Sequence, residues 1–322
     1  MKLDRITFIK AAISIGLITL VATRIDLHQI QLEIQHLSIA FIIFALIYYT
    51  GCQWLSCWRW RIILQSNGYS TPMSSLLSSY FAGMFLNIFL PGALGGDVYR
   101  IYRVAKLIQD SEVALVSVFL ERFTGLAALS ALALIGLPPA FKSIGQWDII
   151  LLLATCAGSL IGAVLLITSP KLLMWFEPLL VKFRLGKILA RFTKIQLLLR
   201  QFSQHRQALV ISMGLSFLLQ VAIVYYHYLI AYQLKIYISY LDLLVFVPIV
   251  AVISLVPISL GGIGVKEGLW IYLCSHVGVS SEKALLLSLT TTVLGWLLSC
   301  FGAVFLFLDF YSSSTATAKQ RN

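Results

Sequence analysis

Long apolar stretches separated by short polar segments make up most of this chain. Six of them are long enough to cross a membrane as one helix, which takes about 20 apolar residues; they lie at about 6–23, 38–57, 112–137, 149–169, 208–232 and 284–308. Two further apolar stretches, about 74–106 and 240–279, contain helix-breaking Pro and Gly residues. The pattern predicts an all-α, polytopic membrane bundle with about six full spans and two interrupted segments.

Composition supports this fold class. Of the 322 residues, 59% are hydrophobic and only 11% are charged, and the mean hydropathy of +0.90 excludes a soluble domain. The net charge of +11 is typical of basic cytoplasmic loops, so we expect no nucleic-acid partner. The five cysteines form no C-x-x-C pair and are interpreted as packing residues. The sequence therefore predicts no metal site and no cofactor.

The two interrupted segments share the motif P-x-x-L-G-G-x-x-x-[R/K]. The first copy comprises Pro91, Gly95, Gly96 and Arg100, and the second comprises Pro257, Gly261, Gly262 and Lys266. Backbone groups freed by a helix break at membrane depth cannot be satisfied by lipid, so the break must be packed in protein or line a polar cavity. Two matching breaks, one in each half, indicate a transport site between internal repeats.

Basic residues predict the topology, because Lys and Arg accumulate on the cytoplasmic side. They place both termini in the cytoplasm, together with the most basic segment, residues 171–206. This arrangement requires the two broken segments to be re-entrant hairpins that enter from opposite faces, as in inverted repeats. The chain then divides into an integral membrane domain, 1–311, with half-repeats at about 1–170 and 207–311, and a disordered polar tail, 312–322.

One helix of the basic segment is predicted to be amphipathic. Its apolar positions recur at helical spacing: Ile188, Phe192, Ile195, Leu199 and Phe202. Two interpretations remain open, a helix lying on the anionic inner leaflet and a linker helix packed against the bundle.

The first break leads directly into a charged cluster. Asp97, Arg100 and Arg103 follow it, and a helix starting there would direct its positive end and two arginines of one face at an anion such as phosphate. The alternative is that Asp97 caps the helix and the arginines only enforce topology. The second break is followed by Lys266 and Glu267, and Lys266 takes the place of Arg100 in the repeat.

Two charged residues lie deep inside a predicted span. Glu121 and Arg122 are nine and ten residues beyond Glu112, which is about 14 Å along a helix and near the bilayer centre. Ionisable groups at that depth usually face a cavity or a partner. Arg100 or Lys266 would suit Glu121, and Asp97, Glu267 or a lipid phosphate would suit Arg122; a purely structural buried ion pair is the alternative.

Two aromatic-rich segments, residues 58–61 and 225–228, have a simpler interpretation. In the first, Arg59 and Arg61 alternate with two tryptophans, and in the second, His227 lies between tyrosines. Amphipathic rings favour the membrane–water interface, so both segments are predicted to be interfacial anchors.

Four of these segments together resemble a known family. They are the Trp58–Arg–Trp–Arg61 segment, the first motif from Leu90 to Arg100, the Glu121–Arg–Phe–Thr–Gly125 segment and the second motif from Val256 to Glu267. The set, which covers nearly the whole chain, is similar to the lysylphosphatidylglycerol synthase transmembrane family, also described as flippase-like. The resemblance implies a membrane domain that moves lipid, which some members fuse to a cytoplasmic acyltransferase domain. We expect this chain to be the stand-alone membrane domain.

The leading hypothesis is a lipid translocator of the bacterial cytoplasmic membrane. Its cargo would be an anionic, aminoacylated or polyprenyl-phosphate-linked lipid, held by Arg100, Arg103, Arg122 and Lys266, with Asp97, Glu121 and Glu267 balancing the charges. Two alternatives stay open: an intramembrane glycosyl- or acyltransferase using a lipid-linked substrate, and a membrane partner of a separate lipid-modifying or glycosyltransferase enzyme. A homodimer is expected on general grounds.

Overall fold

The computed structural model describes residues 37–89, 95–144, 205–255 and 264–319, together with the single residues 158 and 202. The described part contains eight α-helices and no strand. In chain order they are α1 (Ile39–Ser66), α2 (Met73–Phe89), α3 (Gly95–Ile108), α4 (Ser111–Ile144), α5 (Arg206–Gln233), α6 (Tyr240–Ser254), α7 (Val265–Ser275) and α8 (Ser281–Lys319). The protein is a polytopic helical bundle, as predicted.

Among the described residues, four helices are long and apolar enough to cross a membrane: α1, α4 through Pro138, α5, and α8 through Leu308. They confirm helices at the predicted spans 38–57, 112–137, 208–232 and 284–308. The predicted spans 6–23 and 149–169, and the basic segment 171–206 apart from residues 202, 205 and 206, lie outside the described residues. Phe202 does pack in the bundle, in contact with a cluster that includes Ile63 and Leu120.

Helix α8 continues into the polar tail and ends at Lys319. The disorder expected over 312–322 stays a prediction. Extending an existing helix fixes one residue for each new hydrogen bond, whereas a new helix must first form a costly nucleus. A tail too polar to start a helix can therefore continue one.

The two broken segments are each built as a pair of short helices. α2 ends at Phe89 and α3 begins at Gly95, while α6 ends at Ser254 and α7 begins at Val265. The linking residues contain Pro91, Pro257, Gly261 and Gly262, and they lie outside the described residues. Each half of the described chain therefore has the same order: a long helix, two short helices and a second long helix.

The two halves interleave in space. The short helix α2 of the first half packs against α8 of the second, and the short helix α6 of the second packs against α4 of the first. The helices that open each half, α1 and α5, pack against each other. This exchange of equivalent contacts is the pattern that a twofold relation between the halves would produce.

Two further apolar clusters, both larger than the one that contains Phe202, hold most of the described bundle together. The larger is built mainly from α5 to α8, and α6 lies in its middle with nine consecutive residues, Asp242 to Val250, all buried. A helix that is apolar on every side belongs inside a protein rather than beside lipid alone. The smaller cluster includes Trp60, Leu76 and Val104, and it joins the four helices α1, α2, α3 and α4.

Helices α2 and α3 approach each other closely at two glycines. A Cβ atom added to Gly96 would collide with the backbone carbonyl of Gly83, and it would come within 2.8 Å of the Asn87 side chain. The Gly96 amide donates to Asn87 Oδ1 at 2.7 Å, which satisfies one of the free donors at the start of α3. The second glycine of the motif thus lets α3 begin against α2, which positions Asp97 and Arg100 directly behind the break.

Candidate functional site

Five charged side chains from three helices meet in the first half of the bundle. Arg59 comes from α1, Asp97 and Arg100 from the first turns of α3, and Glu121 and Arg122 from the middle of α4. We call these five residues the charged network. Glu121 is ten residues into α4, or about 15 Å along its axis, so the network lies near the middle of a span.

Glu121 is the centre of this network. Its Oε1 accepts a hydrogen bond from Arg59, and its Oε2 accepts one from Arg100 Nη2 at 2.7 Å. Side-chain exposure is 2% for Glu121, 4% for Arg59 and 2% for Arg100. Charges this deeply buried are stable only when paired, so Glu121 serves as the counter-ion for two arginines on two other helices.

Arg100 is enclosed on its faces and on its edges. The rings of Trp60 and Tyr80 cover its guanidinium, with centroids 4.3 and 4.1 Å from Cζ. Its Nη1 donates to Asp97 Oδ1 at 3.1 Å, in addition to the bond from Nη2 to Glu121. In this conformation Arg100 holds the network in place, whereas its predicted role is direct contact with a lipid head group.

Arg122 is the accessible member of the network. Its Nε and Nη2 donate to Asp97 Oδ2 and Oδ1 at 2.9 and 2.8 Å, which makes a bidentate ion pair. Its side chain is 39% exposed, whereas that of Asp97 is 9% exposed. Asp97 is one of the partners predicted for Arg122. The Nη1 edge of Arg122 takes no part in this pair.

The charges of the network do not cancel. Three arginines face two carboxylates, so the network carries one excess positive charge. Both carboxylates are buried and bound by two arginines each. The excess positive charge is therefore exposed at Arg122, whose side chain is the most accessible of the network.

Arg59 also links the two halves of the bundle. Its Nη1 donates to Ser216 on α5 at 2.8 Å, and its guanidinium lies against Gly125, where a Cβ would come within 3.3 Å of Nη1. Gln220 on α5 donates to the Gly125 carbonyl at 3.3 Å. Gly125 follows Glu121 by one helical turn, so its missing side chain leaves the space in which Arg59 reaches the carboxylate.

Sequence reasoning missed Arg59, which is predicted to be an interfacial anchor. Helix α1 continues to Ser66, beyond the predicted end of the span at about residue 57, and Arg59 is therefore surrounded by helices. The available signal was the spacing of Glu121 and Gly125, which leaves a small residue one turn from a buried acid.

The charged residues of the second break lie apart from the network. Glu267 Oε2 accepts a hydrogen bond from the Gly264 amide at 2.6 Å and so caps its own helix, α7; Gly264 has a φ of 86°, which favours glycine. Lys266 Nζ donates to Thr292 Oγ1 on α8 at 2.8 Å. Within the described residues, no hydrogen bond or ion pair joins Lys266 or Glu267 to the charged network.

Arg103 lies one turn beyond Arg100 on α3 and is partly buried.

Within the described part of the chain, no group of three or more His, Cys, Asp or Glu side chains could hold a metal ion. The fold and the network thus define a multi-pass membrane protein with a buried, positively charged ion-pair network at mid-span depth.

Comparison with known proteins gives the family. Residues 7–308 match the family described as the lysylphosphatidylglycerol synthase TM region, and the chain belongs to this family, as its motifs indicate. No match was found among curated proteins. The family assignment is consistent with a lipid-related role in a membrane.

Proposed function

We propose that this protein moves lipids with anionic head groups between the two leaflets of a membrane. The observation that carries the proposal is the charged network, which has an excess positive charge at mid-span depth with Arg122 as its accessible group. Charged side chains inside membranes usually face a substrate pathway, a cavity or a partner. A lipid phosphate crossing the bilayer needs a cationic contact at that depth, because hydrocarbon cannot solvate it.

Arg122 is the residue that would contact the head group. Asp97 binds one edge of its guanidinium and fixes the orientation of the plane, while the other edge stays available to a phosphate oxygen. Arg59, Arg100 and Glu121 hold Asp97 and Arg122 in place from the buried side. Phosphatidylglycerol, its aminoacylated form and polyprenyl phosphates all carry the phosphate that this contact requires.

The helix pairs α2–α3 and α6–α7 would form the moving or gating parts. Their breaks, their matching order and their exchanged packing support re-entrant hairpins in an inverted repeat, with rocking of one repeat against the other giving alternating access. The basic segments favour cytoplasmic termini in a bacterial inner membrane. The acyl chains of the cargo would stay in lipid while the head group passes along the network.

The geometry favours transport over the transferase alternative. Asp97 and Glu121, the groups that would act as acid and base in a transferase, are each held by two arginines. Carboxylates that are each bound by two arginines serve as counter-ions within the network.

Leaflet exchange in liposomes tests the proposal. Purified protein is reconstituted with fluorescent phosphatidylglycerol, lysyl-phosphatidylglycerol or polyprenyl phosphate, and a membrane-impermeant quencher reports exchange. We expect Arg122→Gln to abolish exchange without loss of the folded protein. Lys235→Gln is the matched control, because it removes the same charge from an exposed turn. Equal exchange by Arg122→Gln and wild type would refute the head-group contact at Arg122, and no exchange by folded wild-type protein would refute the function.

A further inference from the structure

The repeat extends from the broken motif into the long helix that follows it. Helices α4 and α8 both begin with Ser–Glu–x–Ala–Leu and carry a glycine ten residues later. The matching positions are Ser111, Glu112, Ala114, Leu115 and Gly125 in α4, and Ser281, Glu282, Ala284, Leu285 and Gly295 in α8. In this register Glu121 and Arg122 correspond to Thr291 and Thr292.

The second half has a cation at the position that matches Arg100, but it has no acid at the positions that match the two carboxylates of the charged network. Lys266 stands where the motif has Arg100, and its Nζ donates to Thr292 at 2.8 Å, so the same two elements meet in both halves. The position of Glu121 is taken by Thr291, and the position of Asp97 is taken by Ile263. The two carboxylates that neutralise Arg100 therefore have no counterpart at the matching positions of the second half.

Lys266 forms no ion pair among the described residues, although the Glu267 carboxylate attracts its ammonium. Its neighbour Glu267 is engaged in capping α7 at Gly264, and the segment before α7, residues 256–263, contains no acidic residue. Thr292 lies eleven residues into α8, or about 16 Å along its axis. A partly buried ammonium at this depth needs a compensating anion.

The surroundings of Lys266 leave space and a spare donor. Among the described residues, a Cβ at Gly295 would meet no atom within 4 Å, whereas at Gly125 the equivalent space holds the Arg59 guanidinium. Trp270 lies one turn from Lys266 on the same face of α7. It is fully buried, and its Nε1 has no hydrogen-bond partner in the described part of the chain. His227 stacks on Trp270 with ring centroids 5.7 Å apart.

We propose that Lys266 and Thr292 form a second anion site that binds a phosphate monoester or diester. This inference rests on the proposed function and deepens it. The head group would have two separate binding positions, Arg122 in the first half and Lys266 in the second. At Arg122 the carboxylates of the protein neutralise most of the positive charge, and at Lys266 the bound anion neutralises it.

The test measures binding rather than transport. The purified full chain in detergent is titrated with phosphatidylglycerol, and separately with inorganic phosphate, and bound ligand is counted by native mass spectrometry. We expect Lys266→Met to weaken one binding step roughly 10- to 100-fold, the range for loss of a hydrogen bond to a charged group. Lys266→Arg keeps the charge and should bind as wild type does.

A second pair of variants tests the missing carboxylate directly. Thr291→Glu restores the acid that the first half has at Glu121, so it should form an ion pair with Lys266 and remove the same binding step without loss of folding. Thr291→Gln has the same size without the charge and should keep the site. If Lys266→Met and Thr291→Glu both bind as wild type does, the second site is refuted.

The two ligands identify the source of the anion. Lys266-dependent binding of phosphatidylglycerol alone supports a lipid-binding position, and Lys266-dependent binding of inorganic phosphate as well supports a site for the phosphate group itself. Absence of Lys266-dependent binding of either ligand overturns the inference. Because leaflet exchange is measured separately, a protein that binds at Lys266 without exchanging lipid would refute the proposed function and leave the site intact.

Discussion

Replacing Glu121 with Gln removes the carboxylate that neutralises two buried arginines. Gln has nearly the same shape as Glu and can still accept a hydrogen bond through its carbonyl oxygen. The NH2 group of Gln, however, is a hydrogen-bond donor, and it would stand opposite an arginine N–H, which is also a donor. One of the two interactions, with Arg59 or with Arg100, is therefore lost, and the excess charge of the network rises from one to two.

The structure indicates a large cost for this change. Exposures of 2% for Glu121 and 2–4% for its two arginine partners mean that water cannot replace the lost interaction. Removing one partner of a buried ion pair costs about 3–5 kcal/mol. We expect about 3 kcal/mol, at the lower end of that range, because the amide keeps one acceptor.

Unfolding in mixed micelles with increasing SDS, followed by circular dichroism, measures the free energy of unfolding. Glu112→Gln is the matched control, since it makes the same chemical change in the first turn of α4; loss of a carboxylate there costs about 0.3–1 kcal/mol. Adding Arg59→Met to Glu121→Gln removes one of the two arginines that bind Glu121 and returns the excess charge of the network to one. The double variant should therefore be more stable than Glu121→Gln alone.

Two results would refute this reasoning. The free energy of unfolding of Glu121→Gln could lie within about 1 kcal/mol of the wild-type value, which is the loss expected for an exposed ion pair. Alternatively, the addition of Arg59→Met could destabilise Glu121→Gln further. Either result would mean that Glu121 does not act as the counter-ion that holds the network.

Three further predictions concern single positions. In SDS unfolding, Gly125→Ala should lower the free energy of unfolding by about 1–3 kcal/mol because its methyl group pushes against the Arg59 guanidinium. Gly295→Ala should be neutral or stabilise the protein by about 0.5–1 kcal/mol through helix propensity. Equal effects of the two substitutions would contradict the finding that the space at Gly125 is occupied and the space at Gly295 is open. Gly96→Ala should destabilise strongly and reduce the yield of folded protein, since the new methyl group meets the backbone of Gly83, and normal yield and stability would refute the close crossing. Tyr69, in the α1–α2 connection, donates to Asp110 at 2.9 Å, and this hydrogen bond raises its pKa; its stabilising effect is present below the ordinary tyrosine pKa and is lost as pH rises through the raised value. Asp110→Ala should therefore lower the Tyr69 pKa in ultraviolet titration read against Tyr69→Phe, and an unchanged value would contradict that hydrogen bond.

The sequence predicted the elements of this fold more completely than their contacts. Hydrophobic runs located all four described spanning helices, because burial in a bilayer requires a continuous apolar helix. The helix ends were less predictable: α1 and α8 continue past their apolar windows, since polar residues can extend a helix that already exists. Arg59 was misinterpreted for that reason, because an apolar window places it outside the span whereas the longer helix places it among its neighbours.

The sequence by itself determined that this is an all-helical membrane protein, with two matching helix breaks and with charges at mid-span depth. It identified Asp97, Arg100, Glu121 and Arg122 as a group worth testing, because charges in apolar surroundings need partners. Only the tertiary structure decided how they pair, since pairing depends on how α1, α3 and α4 pack. It separated Lys266 from Arg100, although both occupy the same place in the repeat. It also showed which arginine is enclosed and which is accessible, because exposure depends on the side chains that neighbouring helices bring to the same point.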